Sequence, residues 1–261
     1  MNVLKIALKP CLRKIAGLIL ILMIALPGSA WAAAKAPHWS YGGADNPTQW
    51  GELDNNFELC KTGTKQSPIN LEGATQGEPS SLVFNYQDTP LTVVNNGHTI
   101  QINYAPGSTA EVEGETYELL QLHFHTPSEH EIGGKAFPME LHLVHRNAAG
   151  KLAVVGVMMA QGVKNSTIEQ IWAHLPTTNQ TLTVKDVTVN AADLLPANKA
   201  YFSYLGSLTT PPCSEQVKWQ VLKEPIAVSS EQIAAFGEIY QVNARPVQPM
   251  RGRSLELHGN A

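Results

Sequence analysis

The sequence has few charged residues and no basic cluster in the body of the chain. Asp, Glu, Lys and Arg make up 15% of the 261 residues, against about 25% in an average globular protein. This shortage argues against a disordered polyelectrolyte, and the lack of a basic cluster argues against nucleic acid as a partner. The 20 Gly and 17 Pro are too few for collagen and too many for a helical bundle. The composition therefore predicts a globular domain rich in strands and turns.

Long apolar runs are also missing, apart from one near the N-terminus. Residues 15–26 are apolar except for Gly17, and four basic residues precede them. Small-x-small motifs end at Ala32 and at Ala34, so the pattern predicts a signal peptide at residues 1–34, cleaved after one of these alanines. An uncleaved anchor is the weaker alternative, because a membrane-spanning helix needs roughly 20 apolar residues. We expect an exported protein, periplasmic or secreted, without membrane attachment after cleavage.

Cysteine is scarce as well. Removal of residues 1–34 leaves one domain at 35–261, with 14 basic and 22 acidic residues and two of the three cysteines, Cys60 and Cys213. Because an exported protein meets an oxidising compartment, this pair predicts a disulfide, with two free buried thiols as the alternative. Closing so long a loop stabilises a fold by roughly 4 kcal/mol in the chain-entropy model.

Short alternating stretches separated by turn signals predict the fold class. Strands are predicted at 82–84, 91–94, 99–104, 117–125, 139–145, 152–160, 217–222 and, less clearly, 181–189. Helices are predicted at 166–175 and at 230–240, the second with Ser229 or Ser230 as its N-cap. Residues 38–80 show little periodicity and are expected to form loops. The prediction is a β-rich mixed α/β class with a single domain.

Histidines alternate with apolar residues in two of these predicted strands. Gln121, His123 and His125 share one face of the first, because successive side chains of a strand point to opposite faces. Histidines at i and i+2 of a strand lie about 7 Å apart and can reach one metal ion, whereas on a helix they diverge. Glu140 and His142 share a face of the second strand. If the two strands pair antiparallel, His142 completes a three-histidine site.

Three neutral imidazoles with an open fourth position are the ligand set of a catalytic zinc site. Gln121 and Glu140 each precede a candidate ligand by two residues, where each can accept the other ring N–H and fix the tautomer. The alternative is a set of ordinary, partly buried histidines. The remaining histidines of the domain lack this context and are expected to be structural or surface residues: His38, His130, His145, His174 and His258.

Several segments together resemble the α-class carbonic anhydrases. They are His38-Trp39-x-Tyr41-Gly42, Gln66-Ser67-Pro68-Ile69, Asn95-Asn96-Gly97-His98, Gln121-Leu122-His123-Phe124-His125, Ser128-Glu129-His130, Glu140-Leu141-His142-Leu143-Val144-His145, Ser207-Leu208-Thr209-Thr210-Pro211-Pro212 and Asn243-x-Arg245-Pro246. The resemblance runs from about residue 38 to about residue 250. It implies a central, mostly antiparallel twisted sheet of about ten strands, with a few short surface helices, and zinc (Zn2+) as the cofactor.

The resemblance also implies an activity, the reversible hydration of carbon dioxide to bicarbonate and a proton. Zinc lowers the pKa of its bound water to about 7, an effect for which carbonic anhydrase is itself the reference case, and the resulting hydroxide attacks the substrate. The matching positions have the following implied roles: zinc ligands His123, His125 and His142; ligand support from Gln121, Glu140 and Asn243; orientation of the hydroxide by Thr209, which donates to Glu129; proton shuttle His98; ordering of the proton-path waters by Tyr41, Asn96 and Gln101; and a substrate pocket of Val144, Val154, Leu208, Thr210, Val217 and Trp219.

Some positions depart from the animal members of the family. Thr126 and Arg146 stand where these often have Trp, and Gln101 stands where many carry Asn. Together with the two cysteines, this is similar to the exported bacterial branch, with which a homodimer would be in keeping.

Two other function classes stay open: a non-catalytic binding module on the same fold, and a hydrolase that uses the zinc hydroxide on esters. The size of the cleft would discriminate the hydrolase.

Overall fold

One large mixed sheet organises the chain in the computed structural model, which describes residues 37–78 and 82–259. The predicted signal peptide, residues 1–34, lies outside the described residues, and its cleavage stays a prediction. Within the described ranges, no helix is long and apolar enough to cross a membrane.

The described residues form fifteen strands and four α-helices. The strands are β1 Asn70–Leu71, β2 Thr75–Gln76, β3 Val83–Asn85, β4 Thr89–Asn95, β5 Ile100–Asn103, β6 Thr109–Val112, β7 Glu115–His125, β8 Glu131–Ile132, β9 Lys135–Ala136, β10 Met139–Arg146, β11 Leu152–Gln161, β12 Gln180–Val189, β13 Tyr201–Ser207, β14 Glu215–Val228 and β15 Glu256–His258. The helices are α1 Trp50–Leu53, α2 Leu59–Thr62, α3 Ser166–Trp172 and α4 Ser230–Ile239, accompanied by 3₁₀ turns at Gly43–Asp45, Asn55–Phe57 and Ala191–Leu194.

Twelve strands make up the large sheet. Their order is β12-β4-β5-β7-β10-β11-β14-β13-β15-β2, with β6 also paired to β7 and β3 paired to β6. Most neighbours are antiparallel, and β11 with β14 is a parallel pair. A small second sheet has the order β1-β8-β9. The predicted class, a β-rich mixed fold built on a mostly antiparallel sheet with few short helices, is confirmed.

The strands β7 and β10 lie in the middle of the large sheet. They pair antiparallel, and this pairing sets His142 directly opposite His123. β11 flanks β10 on its other edge, so β10 has neighbours on both sides. A site built on these two strands therefore stands on paired backbone near the middle of the sheet.

Hydrophobic clusters cover both faces of the central strands. On one face, Phe124 packs edge-on against Trp172 of α3 and lies near Phe236 of α4, within the larger cluster. On the other face, Val154 and Trp219 belong to a smaller cluster. The predicted helices are both present, and α4 begins with a capping box made by Ser229 and Gln232.

Two parts of the sequence reading need correction. Residues 38–80, expected to form loops, contain α1 and α2, which at four residues each are too short to show a helical period. The contacts of Trp50 in α1 are non-local instead: its buried indole N–H donates to the carbonyls of Ser40 and Asp45. The strand β13 was not predicted; it pairs with β14, the next strand along the chain, and with β15 near the end of the described residues.

Candidate metal centre and active-site cleft

Three imidazoles meet at the centre of β7 and β10. The ring centroids of His123 and His125 lie 5.0 Å apart, those of His123 and His142 5.3 Å, and those of His125 and His142 4.5 Å. One ring nitrogen from each histidine lies within 4.8 Å of the other two. His125 and His142 are buried, and His123 is partly exposed. The antiparallel pairing that the sequence reading required is therefore present.

The nitrogen on the other side of each ring is held by an oxygen acceptor. The pairs are His123 Nδ1 with Gln121 Oε1 at 2.8 Å, His125 Nδ1 with the carbonyl of Asn243 at 2.7 Å, and His142 Nε2 with Glu140 Oε1 at 2.9 Å. Because these oxygens accept, each of the paired nitrogens carries the proton. The lone pairs are left on His123 Nε2, His125 Nε2 and His142 Nδ1, the nitrogens that face one another.

The residues present fit a zinc ion. Among the described residues, His125 Nε2 is buried without a hydrogen-bond partner, and leaving such an atom unpaired costs free energy that a bound cation would offset. Burial and the neighbouring imidazoles lower the pKa of His123 well below its usual range and also lower that of His125, so both are neutral, as metal ligands must be. Three imidazoles leave the fourth position of a tetrahedral zinc open.

The Glu140 carboxylate is kept ionised despite complete burial. Burial raises its pKa, but His130 and His142 outweigh that effect and hold the pKa well below its usual range. Burial lowers the pKa of His142, and Glu140 outweighs this too, so that the pKa of His142 is raised. A negative charge supporting one imidazole in this way suits a ligand of a divalent cation.

Glu129 lies beside the ring nitrogens. Its Oε2 is 3.5 Å from His125 Nε2 and 3.8 Å from His142 Nδ1, and its Oε1 accepts from the backbone N–H of Arg245 over 2.8 Å. Within the described part of the chain, Oε2 has no hydrogen-bond partner. Thr209 is buried after the end of β13, and its implied bond to Glu129 is not formed through this oxygen. Glu129 Oε2 could therefore accept a hydrogen bond from the Thr209 hydroxyl, because no other donor is bonded to it in the described residues.

A cleft of about 130 Å³ opens onto the metal centre. Its lining contains the implied shuttle, the three implied water-ordering residues and two of the candidate ligands; in full it is Trp39, Tyr41, Asn96, His98, Thr99, Gln101, Gln121, His123, His125 and Thr210. The structure thus brings together residues that are far apart in the sequence.

His98 stands in this cleft with its ring on Trp39. The two ring centroids are 3.7 Å apart and the planes differ by 8°. Asn96 Oδ1 accepts from the backbone N–H of His98 over 2.9 Å, and Asn243 Nδ2 donates to its carbonyl over 3.0 Å. Burial, with a smaller contribution from His38, lowers the pKa of His98 below its usual range. Trp39 was missed as a site residue, although it lies inside a segment that carries the resemblance.

The implied substrate pocket forms an apolar wall next to His142. Val154, Val217 and Trp219 are buried in the smaller cluster, and Val144 and Leu208 are partly buried against it. The ring centroids of Trp219 and His142 lie 4.9 Å apart. The wall therefore adjoins the metal centre.

One histidine that the sequence reading set aside belongs to the surroundings of this site. His130 is completely buried, and its Nδ1 lies 2.8 Å from Glu140 Oε1. The alternation of polar and apolar residues could not mark it as a site residue, because it lies in a turn between β7 and β8. The signal was its place in the segment Ser128-Glu129-His130.

The two cysteines of the described chain form the predicted disulfide. Cys60 of α2 is bonded to Cys213, which follows Thr209-Thr210-Pro211-Pro212. The carbonyl of Cys60 accepts from Arg245 Nη2, and the carbonyl of Cys213 accepts from Gln66 Nε2. The disulfide thus fixes the segment that carries Thr209.

Comparison with known proteins agrees with this geometry. The family model for eukaryotic-type carbonic anhydrase matches residues 45–258. The chain belongs to the α-carbonic anhydrase family. A carbonic anhydrase of Nostoc sp. is 46% identical over 228 residues, which cover 85% of this chain and 86% of that protein. Carbonic anhydrases of this family are zinc enzymes that hydrate carbon dioxide, so the chain is a carbonate dehydratase, a lyase, with zinc as its cofactor.

Solved carbonic anhydrases share the fold. A hyperthermostable carbonic anhydrase from a hydrothermal vent chimney aligns with a TM-score of 0.83 at 44% identity, covering 85% of this chain and 100% of that one. The α-carbonic anhydrase of Thermovibrio ammonificans, in complex with the inhibitor sulfanilamide, aligns with a TM-score of 0.83 at 38% identity over the same shares of the two chains. The relatives named carbonic anhydrase, together with the three candidate ligand histidines, favour an enzyme over a non-catalytic binding module on the same fold.

Proposed function

We propose that the chain is an exported carbonic anhydrase in which His123, His125 and His142 hold the zinc ion and His98 carries protons to solvent. One observation carries the ligand assignment. The outer nitrogen of each ring is hydrogen-bonded to an acceptor, and the inner nitrogens lie within 4.8 Å of one another beside a cleft.

The nucleophile is oriented by Thr209 and Glu129. When bound, zinc acts as a Lewis acid that makes water acidic enough to supply a nucleophile near neutral pH. Glu129 Oε2 has no hydrogen-bond partner in the described residues, so it is available to accept a hydrogen bond from the Thr209 hydroxyl. The Thr209 oxygen is then left as an acceptor, which turns the proton of the nucleophile away from the substrate carbon. Because Arg245 fixes Glu129 Oε1, the carboxylate holds one orientation.

The apolar wall beside His142 favours a small apolar substrate. Carbon dioxide offers almost nothing for a hydrogen bond, so a wall of Val144, Val154 and Trp219 beside His142 suits it. The cleft of about 130 Å³ is small beside the ~300–1,000 Å³ of pockets that hold drug-sized ligands. This difference favours carbon dioxide over an ester, and no feature of the described residues favours the hydrolase alternative.

Protons leave through His98. The imidazole lines the same cleft as His123, with Asn96, Gln101 and Tyr41 around it. Because its ordinary pKa is near 6.5, a histidine both takes and releases a proton near neutrality. Its ring lies partly exposed against Trp39, so it can reach both the cleft and solvent.

Export is supported by the disulfide. Disulfides persist in oxidising compartments such as the periplasm, and the Cys60–Cys213 bond joins residues 153 positions apart. The apolar run of residues 15–26 and the alanine motifs that follow it supply the corresponding signal peptide.

The proposed activity is tested by stopped-flow hydration of carbon dioxide with and without sulfanilamide. Sulfanilamide is the inhibitor bound in the Thermovibrio ammonificans relative, and we expect it to inhibit this chain as well. Zinc content is measured on the same sample. Fast hydration that sulfanilamide abolishes supports the proposal. A zinc-loaded chain that hydrates carbon dioxide no faster than buffer would reject it.

A further inference from the structure

A line of buried hydrogen bonds leads away from the zinc ligand His142. Glu140 Oε1 lies 2.9 Å from His142 Nε2 and 2.8 Å from His130 Nδ1. On the other side of its ring, His130 Nε2 lies 2.6 Å from Tyr204 Oη, and Tyr204 Oη donates to Ser67 Oγ over 2.8 Å. All five side chains are at most 5% exposed. The line therefore joins the metal centre to β13 without passing through water.

The Glu140 carboxylate is fixed on every side. Its Oε2 accepts from the backbone N–H groups of Glu129 and His130 over 2.9 and 2.8 Å, and its Oε1 is shared by two imidazoles. Gly156 lies against it so closely that a Cβ there would come within 3.0 Å of Oε1. Because the carboxylate cannot turn, the position of Oε1 decides the direction in which the His142 ring points.

Tyr204 is held equally firmly at the other end of the line. Its ring is stacked with that of Trp219, and a Cβ on Gly206 would clash with both Ser67 Oγ and the Tyr204 ring. Ser67 is itself fixed, because its backbone N–H donates to Ser207 Oγ and its Oγ accepts from the backbone N–H of Ser207. The Tyr204 hydroxyl thus offers His130 a partner with a single position.

We propose that Tyr204 is a positioning residue of the zinc site. Its hydroxyl holds His130, His130 holds Glu140 Oε1, and Glu140 Oε1 keeps His142 Nδ1 directed at the metal. The inference rests on the proposed ligand set and adds a residue that touches neither the metal nor the cleft lining. Hydrogen-bond partners of metal ligands typically contribute 10–100-fold to metal affinity. Where these partners are themselves held by further hydrogen bonds, residues beyond them also affect metal affinity.

The chain offers a matched control. Tyr86 Oη lies 2.8 Å from His145 Nε2, so Tyr86 and His145 also form a buried Tyr–His pair. His145 stands on β10 three residues after His142, and its ring is stacked with that of Tyr86. Tyr204→Phe and Tyr86→Phe therefore remove the same group from the same kind of pair, and only the first lies on the line to the metal.

The test is the zinc dissociation constant of the full chain, measured by competition with a chelator. We expect Tyr204→Phe to weaken zinc binding by about 10-fold and Tyr86→Phe to leave it unchanged. In a Glu140→Gln background, Tyr204→Phe should add little further loss, because its effect passes through Glu140. If Tyr204→Phe does not fold, Ser67→Ala removes the acceptor of the same hydroxyl and should weaken binding in the same direction.

Three results would overturn the proposal or its basis. Equal zinc affinity for Tyr204→Phe and wild type would reject the positioning role. An undiminished effect of Tyr204→Phe in the Glu140→Gln background would reject the route through Glu140. A His142→Ala variant with wild-type zinc affinity would instead reject the ligand set itself, which separates failure of the proposed function from failure of this inference.

Discussion

The imidazole of His98 lies flat against the indole of Trp39, with 3.7 Å between the ring centroids. Both rings line the cleft that opens onto His123 and His125. A proton shuttle in this position is replaceable by a small base in solution, because buffer molecules reach the same opening.

His98→Ala should slow the hydration of carbon dioxide in weak buffer by about 100-fold, the lower end of what positioned proton transfer contributes. Added imidazole should restore the rate. The measurement is stopped-flow hydration at several imidazole concentrations, with His174→Ala as a control for loss of a histidine outside the cleft. If the hydration rate of the His98→Ala variant in weak buffer equals that of wild type, the assignment of His98 as the proton shuttle is rejected.

The orienting hydroxyl is tested by a pair of threonines. Thr209→Val should lower kcat/KM by about 100-fold, because it removes the hydroxyl that would donate a hydrogen bond to Glu129 Oε2. The zinc content should stay the same. Thr210→Val, which changes the neighbouring side chain in the cleft lining, should cost much less. Equal losses for the two variants in steady-state hydration assays would contradict the assignment to Thr209.

Stability should depend on pH through His145. Burial lowers the pKa of this imidazole to about 4 in the folded chain, against 6.5 for an unperturbed histidine. Between these values the unfolded state binds the extra proton, so the stabilising contribution is complete above pH 6.5 and is lost as the pH falls to about 4. The loss amounts to about 3 kcal/mol for this one group.

His145→Gln should therefore make the free energy of unfolding less sensitive to acid over that range. Urea unfolding at several pH values between 7 and 4 measures the difference from wild type. His174→Ala, at a partly exposed histidine, is the control for loss of an imidazole as such. A His145→Gln variant with the pH dependence of wild type would show that this imidazole is not buried in its neutral form.

The disulfide should contribute to stability and to the position of the Thr209 segment. Cys60→Ser with Cys213→Ser opens a loop of 153 residues, and native disulfides in exported domains typically contribute about 2–5 kcal/mol. Chemical unfolding should show this loss, and reduced wild type should match the double variant. Wild type that is equally stable with and without reductant would argue against the prediction.

The proposed metal ligands could be predicted from the sequence because their spacing is local. His123 and His125 follow the two-residue period of a strand, and His142 stands on the next strand that carries the same alternation. The antiparallel pairing needed only one assumption about the connection between them.

Residues that act through non-local contacts were not readable in this way. His130 reaches Tyr204 across 74 positions, and Arg245 reaches Glu129 across 116. No period links such pairs, and only the fold brings them together. The short helices α1 and α2 were missed for a different reason, because four residues are too few to show a helical period.

The proposed function requires that His123, His125 and His142 hold one zinc ion and that hydration depends on this ion. We would test this by titrating zinc into the metal-free chain and following carbon dioxide hydration by stopped flow. Activity should rise in proportion to added zinc, level off at one ion per chain, and fail to rise in His142→Ala. Full activity before zinc is added, or zinc-dependent activity of wild-type size in His142→Ala, would contradict it.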